Sequence, residues 1–158
     1  MLMKKLILLV AAALSLYAES TGTNGLAGVE LAGDAICTVS GSAAMSNGIA
    51  IVDYVLRPET GSCIRCRISL PSPEKWNGEF WGVGNSSFGG VLPDTYGLSA
   101  AMDAAAATTD LGTSGYISGD DRRKDVPPAV LRDYTWRATA FRRVSRSALS
   151  AAYPGGGW

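Results

Sequence analysis

Two neighbouring segments with strand character, Ile49–Leu56 and Cys63–Leu70, constrain this chain more than any other feature. The first, IAIVDYVL, is β-branched and apolar, which suits a pleated and largely buried surface. In the second, Ile64, Cys66, Ile68 and Leu70 alternate with Arg65, Arg67 and Ser69, the period-2 pattern of a strand with one buried face. Arg57-Pro-Glu-Thr-Gly61 between them carries turn chemistry, so the pair is expected to form a hairpin. A second turn at Pro71–Gly78 leads to a short strand over Phe80–Val83, and a glycine-rich loop runs from Gly82 to Gly90. Tyr96–Met102 reads as a short helix and Ala104–Thr109 as a strand of small residues ending at Asp110. Thr113–Lys124 is polar and loop-like, and Pro127-Pro128 suits a helix start. From Ala129 to Ala152 the residues Leu131, Tyr134, Ala138, Phe141, Ala148 and Ala152 fall mostly three or four apart. Arg132, Arg137, Arg142, Arg143 and Arg146 occupy much of the remainder, giving an amphipathic helix with a solvated basic side. Residues 19–47, rich in Gly, Ala, Ser and Thr, show only short β-like pieces around Ile36–Val39. Strands alternating with helices in the back half predict an α/β layer with parallel pairing.

The first eighteen residues read differently. Lys4 and Lys5 precede an apolar run from Leu6 to Leu16, and Glu19, Ser20 and Thr21 end it. A bilayer span needs about 20 apolar residues, so residues 1–18 are expected to be a secretory signal peptide rather than an anchor. The mature chain, 19–158, is expected to be secreted or periplasmic, without a membrane span. It has room for a single domain. Fourteen basic and fourteen acidic side chains cancel, so no net field favours nucleic acid or an anionic membrane.

Three cysteines in an exported chain leave at least one without a partner in this sequence. Cys63 and Cys66 have CxxC spacing, but residues three apart on a strand point to opposite faces. A buried Cys66, with Cys63 near the strand end, is the expectation; the state of Cys37 is left open.

The chain contains no histidine, which excludes a Ser-His-Asp triad or a His-ligated zinc made from these residues alone. No GxSxG nucleophile elbow and no GxxxxGK[ST] phosphate loop is present. The stretch Gly82-Val-Gly-Asn-Ser-Ser-Phe-Gly-Gly90 remains. It admits two readings: a tight turn after a strand, or a loop whose backbone N–H groups hold a developing oxyanion. Asp110, at a strand end, reads as a functional carboxylate or, lacking a base or nucleophile beside it, as a turn residue.

Leu70-Pro, Trp76-Asn-Gly-Glu-Phe80, Gly82-Val-Gly-Asn85, Phe88-Gly-Gly90, Thr108-Thr-Asp-Leu-Gly112 and Leu131-Arg-Asp-Tyr-Thr-Trp-Arg-Ala138 together resemble the tannase and feruloyl esterase family. The resemblance covers about residues 55 to 153, and WNGxFxGVGN is its most specific part. Members are exported serine esterases of α/β-hydrolase fold that cleave phenolic esters. The resemblance implies an incomplete α/β-hydrolase-like sheet behind a β-rich N-terminal part, in which 19–158 is the front of an esterase domain. It implies that the Gly84, Asn85 and Ser86 backbone lies on the oxyanion side of the pocket, with a phenolic ester as substrate and no metal or cofactor. The family's nucleophile elbow follows the helix that begins near Leu131, and its acid and histidine come later still. Ser86-Ser87 stands where the family has two glycines, Thr113 and Ala140 where it has histidines, and Asp103-Ala104 where it has Gly-Tyr. These departures imply a front piece that is inactive alone. A second reading stays open: a small secreted module without catalysis, contacting sugar or phenol through Trp76, Phe80, Trp81 and Phe88.

Overall fold

The computed structural model describes residues 26–34, 37–85, 87–116 and 126–140, with backbone only for residues 26–44. The expected leader, Ser86, most of the 113–124 loop and the helix beyond 140 lie outside the described residues.

Six strands form one mixed sheet in the order β1-β2-β3-β4-β6-β5. They are β1 (Leu26–Asp34), β2 (Cys37–Ser46), β3 (Ile49–Arg57), β4 (Ile64–Pro71), β5 (Phe80–Gly82) and β6 (Ala105–Thr109). The expected hairpin is β3–β4, with Leu56 opposite Ile64 and Ile49 opposite Pro71. That register puts Ala50, Val52, Tyr54 and Leu56 on the same face as Ile64, Cys66, Ile68 and Leu70, and all eight are buried. Burying each large aliphatic side chain of this set contributes about 1.5–3 kcal/mol, so this face is the core. A slip of one residue would turn the whole set outward. On the opposite face Arg67 lies across from Asp53 and donates two hydrogen bonds to its carboxylate, at 2.7 and 2.8 Å.

The front of the chain is more regular than its composition suggests. β1 and β2 run antiparallel, and β2 pairs with β3 over nine consecutive residue pairs from Thr38↔Arg57 to Ser46↔Ile49. The tight turn between β2 and β3 is Asn47-Gly48, both with positive φ (44° and 77°). Two left-handed residues give a hairpin turn whose twist matches that of the strands.

After β4 the chain turns through residues 72–79, adds β5, crosses over in α1 (Tyr96–Met102) and returns as β6. β6 inserts between β4 and β5, antiparallel to the first and parallel to the second. The expected parallel pairing is therefore the β5–β6 unit. Alanine is a poor strand former, yet Ala105, Ala106 and Ala107 are all buried. Tertiary packing overrides propensity here, because a strand enclosed on both edges needs side chains small enough for the layers to close. Ser69 meets Thr95 at 2.8 Å between hydroxyls, which sets the start of α1 on the face away from the core.

The last described helix, α2, starts at Pro128 and continues from Asp133 to Arg137 as a turn of π-helix. Its phase differs from the expected stripe. Leu131 is 43% exposed, whereas Ala129, Val130, Asp133 and Ala138 are buried. The inward side is set by contact with the β3–β4 turn, where Ser62 Oγ donates to the buried Asp133 carboxylate, so Asp133 rather than Leu131 faces inward. Arg132 and Arg137 are not a free basic side either, since both donate to Glu59.

Candidate functional site

The parallel β5–β6 pair ends in two adjacent loops, residues 83–90 and 110–113. Ligands of open α/β sheets bind outside the carboxyl ends of such strands. Val83 N–H still pairs with Ala107 C=O (2.8 Å), and Thr108 Oγ1 donates to Val83 C=O (3.1 Å). The backbone then leaves the sheet. Gly84 is exposed and Asn85 half-buried, with the Asn85 amide donating to the Thr109 carbonyl and tying the loop to the end of β6. Among the described residues, the backbone N–H groups of Gly84 and Asn85 have no acceptor. Ser86 lies outside the described residues.

The far end of the loop is held firmly. Gly90 N–H donates to Asp110 C=O (2.9 Å), and Thr113 Oγ1 donates to Phe88 C=O (2.5 Å). Phe88 packs against Tyr134 with ring centroids 4.6 Å apart, and Tyr134 OH approaches Ser87 C=O at 3.4 Å. Helix α2 thus supports the loop from outside, through a residue that the helical stripe gave no reason to associate with it.

Asp110 resolves between its two readings. Its carboxylate is fully buried and accepts from the Arg65 backbone N–H (2.9 Å), Arg65 Nε (2.7 Å) and the Gly112 N–H (2.8 Å). Arg65 Nη2 in turn donates to Gly90 C=O at 3.2 Å. A carboxylate so enclosed orders the two loops and is not placed to move a proton for a ligand. The signal for this role was the charge of Arg65 on the polar side of β4, whose partner lies 45 residues away.

The hydroxyls supply no activated nucleophile among the described residues. Ser62 Oγ donates to the buried Asp133 carboxylate, Ser69 is paired with Thr95, and Ser87 is exposed without a base or acid aimed at it. Cys66 is buried, and that burial pushes its thiol well above the ordinary cysteine range, which makes it inert. Cys63 is exposed, and neither Cys63 nor Cys66 forms a disulfide. Cys37 opens β2, in the backbone-only part of the structure. No group of three or more His, Cys, Asp or Glu among the described residues is placed to hold a metal ion.

The four aromatics of the second reading do not share one surface. Phe80 and Trp81 are consecutive on β5 and point to opposite faces. Trp76 and Trp81 both donate to Glu79, at its backbone carbonyl (2.9 Å) and its carboxylate (3.0 Å), while Phe88 is engaged by Tyr134.

No protein-family model matches the chain, and no curated protein matches it in sequence. Among solved structures, the crystal structure of an esterase from Aspergillus oryzae matches it with a TM-score of 0.59 at 15% identity, over 94% of this chain. The match spans 31% of that esterase, so this chain corresponds to under a third of its length. The fold is accordingly similar to part of that structure. No helix among the described residues is long and apolar enough to cross a membrane.

Proposed function

We propose that the chain is the front part of a secreted carboxylic-ester hydrolase acting on phenolic esters, and that it supplies the oxyanion side of the pocket. The observation that carries this reading is that the backbone N–H groups of Gly84 and Asn85, at the carboxyl end of the parallel strands, have no acceptor among the described residues. With Ser86, they would donate to the oxygen that becomes negative when an ester carbonyl is attacked; one such donor is worth about 3–4 kcal/mol of barrier. The esterase-like fold and the motif resemblance support the same assignment. The attacking hydroxyl, its base and the orienting acid lie outside these residues, since no histidine is present and each described serine in the site region lacks a base.

Phenylphosphonate, a tetrahedral anion with an aromatic group, tests the loop directly in a ¹⁵N-HSQC titration. The expected result is saturable shifts concentrated at the Gly84, Asn85 and Ser86 amides. Shifts confined to arginine-rich surface, with these three unmoved, would contradict the assignment.

A further inference from the structure

We propose that Glu59, Arg132, Arg137, Asp133 and Ser62 form an acid-released latch that holds α2 on the β3–β4 turn and thereby on the glycine-rich loop. A single carboxylate oxygen of Glu59 accepts three charge-assisted hydrogen bonds: from Arg132 Nε (2.8 Å), Arg132 Nη2 (2.6 Å) and Arg137 Nη1 (2.6 Å). Arg137 Nη1 also reaches the buried Asp133 at 3.4 Å, and Ser62 Oγ donates to the other oxygen of that carboxylate. Two residues of the turn therefore hold three residues of the helix, 70 or more positions along the chain. The same helix carries Tyr134, which bears on Phe88 and Ser87. Releasing the helix withdraws that support from the loop.

The charged groups facing one another from the two elements are Glu59 on the turn and Arg132, Asp133 and Arg137 on the helix; the 110–113 loop contributes Gly112, and β4 contributes the apolar Ile64. Protonating Glu59 cancels the charge that holds two guanidinium groups side by side. The Arg137 and Arg132 hydrogen bonds hold the Glu59 carboxyl below its ordinary value of 4.5. A lowered folded value means that Glu59 stabilises docking above the unfolded value, and that this contribution is lost as pH falls through the folded one. Asp133 behaves oppositely. Burial raises its carboxyl above the ordinary value, against the opposing pull of Ser62 and Arg137. Protonating Asp133 relieves a buried charge and leaves the Glu59 contacts in place. Docking therefore loses the Glu59 contribution as pH falls through that group's folded value.

Hydrogen exchange of the full chain, followed by mass spectrometry and corrected for intrinsic rates, reads this segment by segment. Residues 128–137 are expected to lose protection about tenfold in acid as Glu59 protonates, while β3 and β4 stay protected. Glu59→Gln is expected to show the low protection at neutral pH and to lose the acid step. Should that variant not fold, Arg132→Gln, on the exposed side of the cluster, is expected to move the release to higher pH. Acid loss of protection in 128–137 only together with β3 and β4, or a Glu59→Gln or Arg132→Gln profile that overlays the wild type, overturns the proposal.

Discussion

Asp110→Ala is expected to lower the unfolding free energy of the full chain by about 3 kcal/mol in urea denaturation. The deleted carboxylate is fully buried and is the acceptor for the backbone N–H groups of Arg65 and Gly112 as well as for Arg65 Nε. Each buried donor left without an acceptor costs about 1–3 kcal/mol, and breaking one side of a buried ion pair about 3–5 kcal/mol. The Arg65 side chain is 45% exposed and regains water when its partner is lost, so the lower end of that range applies. Asp110→Asn keeps the oxygen that serves the two backbone donors and should cost about half as much. A loss under about 1 kcal/mol for the alanine variant would mean that the two loops are held by something else.

The second large effect is expected at Gly112→Ala. Gly112 has φ of 72°, a conformation that costs an L-residue about 1–2 kcal/mol. An added Cβ would also lie 2.8 Å from Asp133 Cβ and 3.3 Å from Ile64 Cγ1, so it would wedge α2 away from β4. Overpacking of this kind costs about 1–3 kcal/mol, giving a total of about 3 kcal/mol. Gly48→Ala is the control: its φ is 77°, but nothing lies within 4 Å of the added carbon, so only the conformational cost of about 1–2 kcal/mol remains. Equal losses in the two variants would show that the helix does not press on the 110–113 loop.

The hairpin and the short helix at Tyr96–Met102 are legible in the sequence because each is set by local pattern, whereas the alanine strand is set by its place between β4 and β5. Ile64, Cys66, Ile68 and Leu70 need only a period of two to be recognised. The ladder of β1 and β2 is not legible in that way. Its Gly, Ala and Ser residues carry no alternation, and the strands are specified by pairing onto β3. One local signal does mark it: Asn47-Gly48, a dipeptide suited to a two-residue hairpin turn, stands directly before the strongest strand. The phase of α2 is hidden for a different reason. A helical period places Leu131 inward, but the Ser62–Asp133 and Glu59–Arg137 contacts join residues 71 and 78 positions apart and turn the helix to suit them. At the candidate site, the glycine loop was evident from composition and its place after a strand. Its fastening by Asp110, Arg65 and Tyr134 depends on neighbours that only the tertiary fold creates.

Initial-rate assays of the purified full chain with a chromogenic phenolic ester decide whether this polypeptide, which we propose offers donors to a developing oxyanion, also supplies a group that attacks a carbonyl. Chromophore is expected to appear at the rate of buffer alone. Saturable turnover above that rate, whether or not it survives a Ser86→Ala, Ser87→Ala double substitution, would mean that an attacking group lies in this chain.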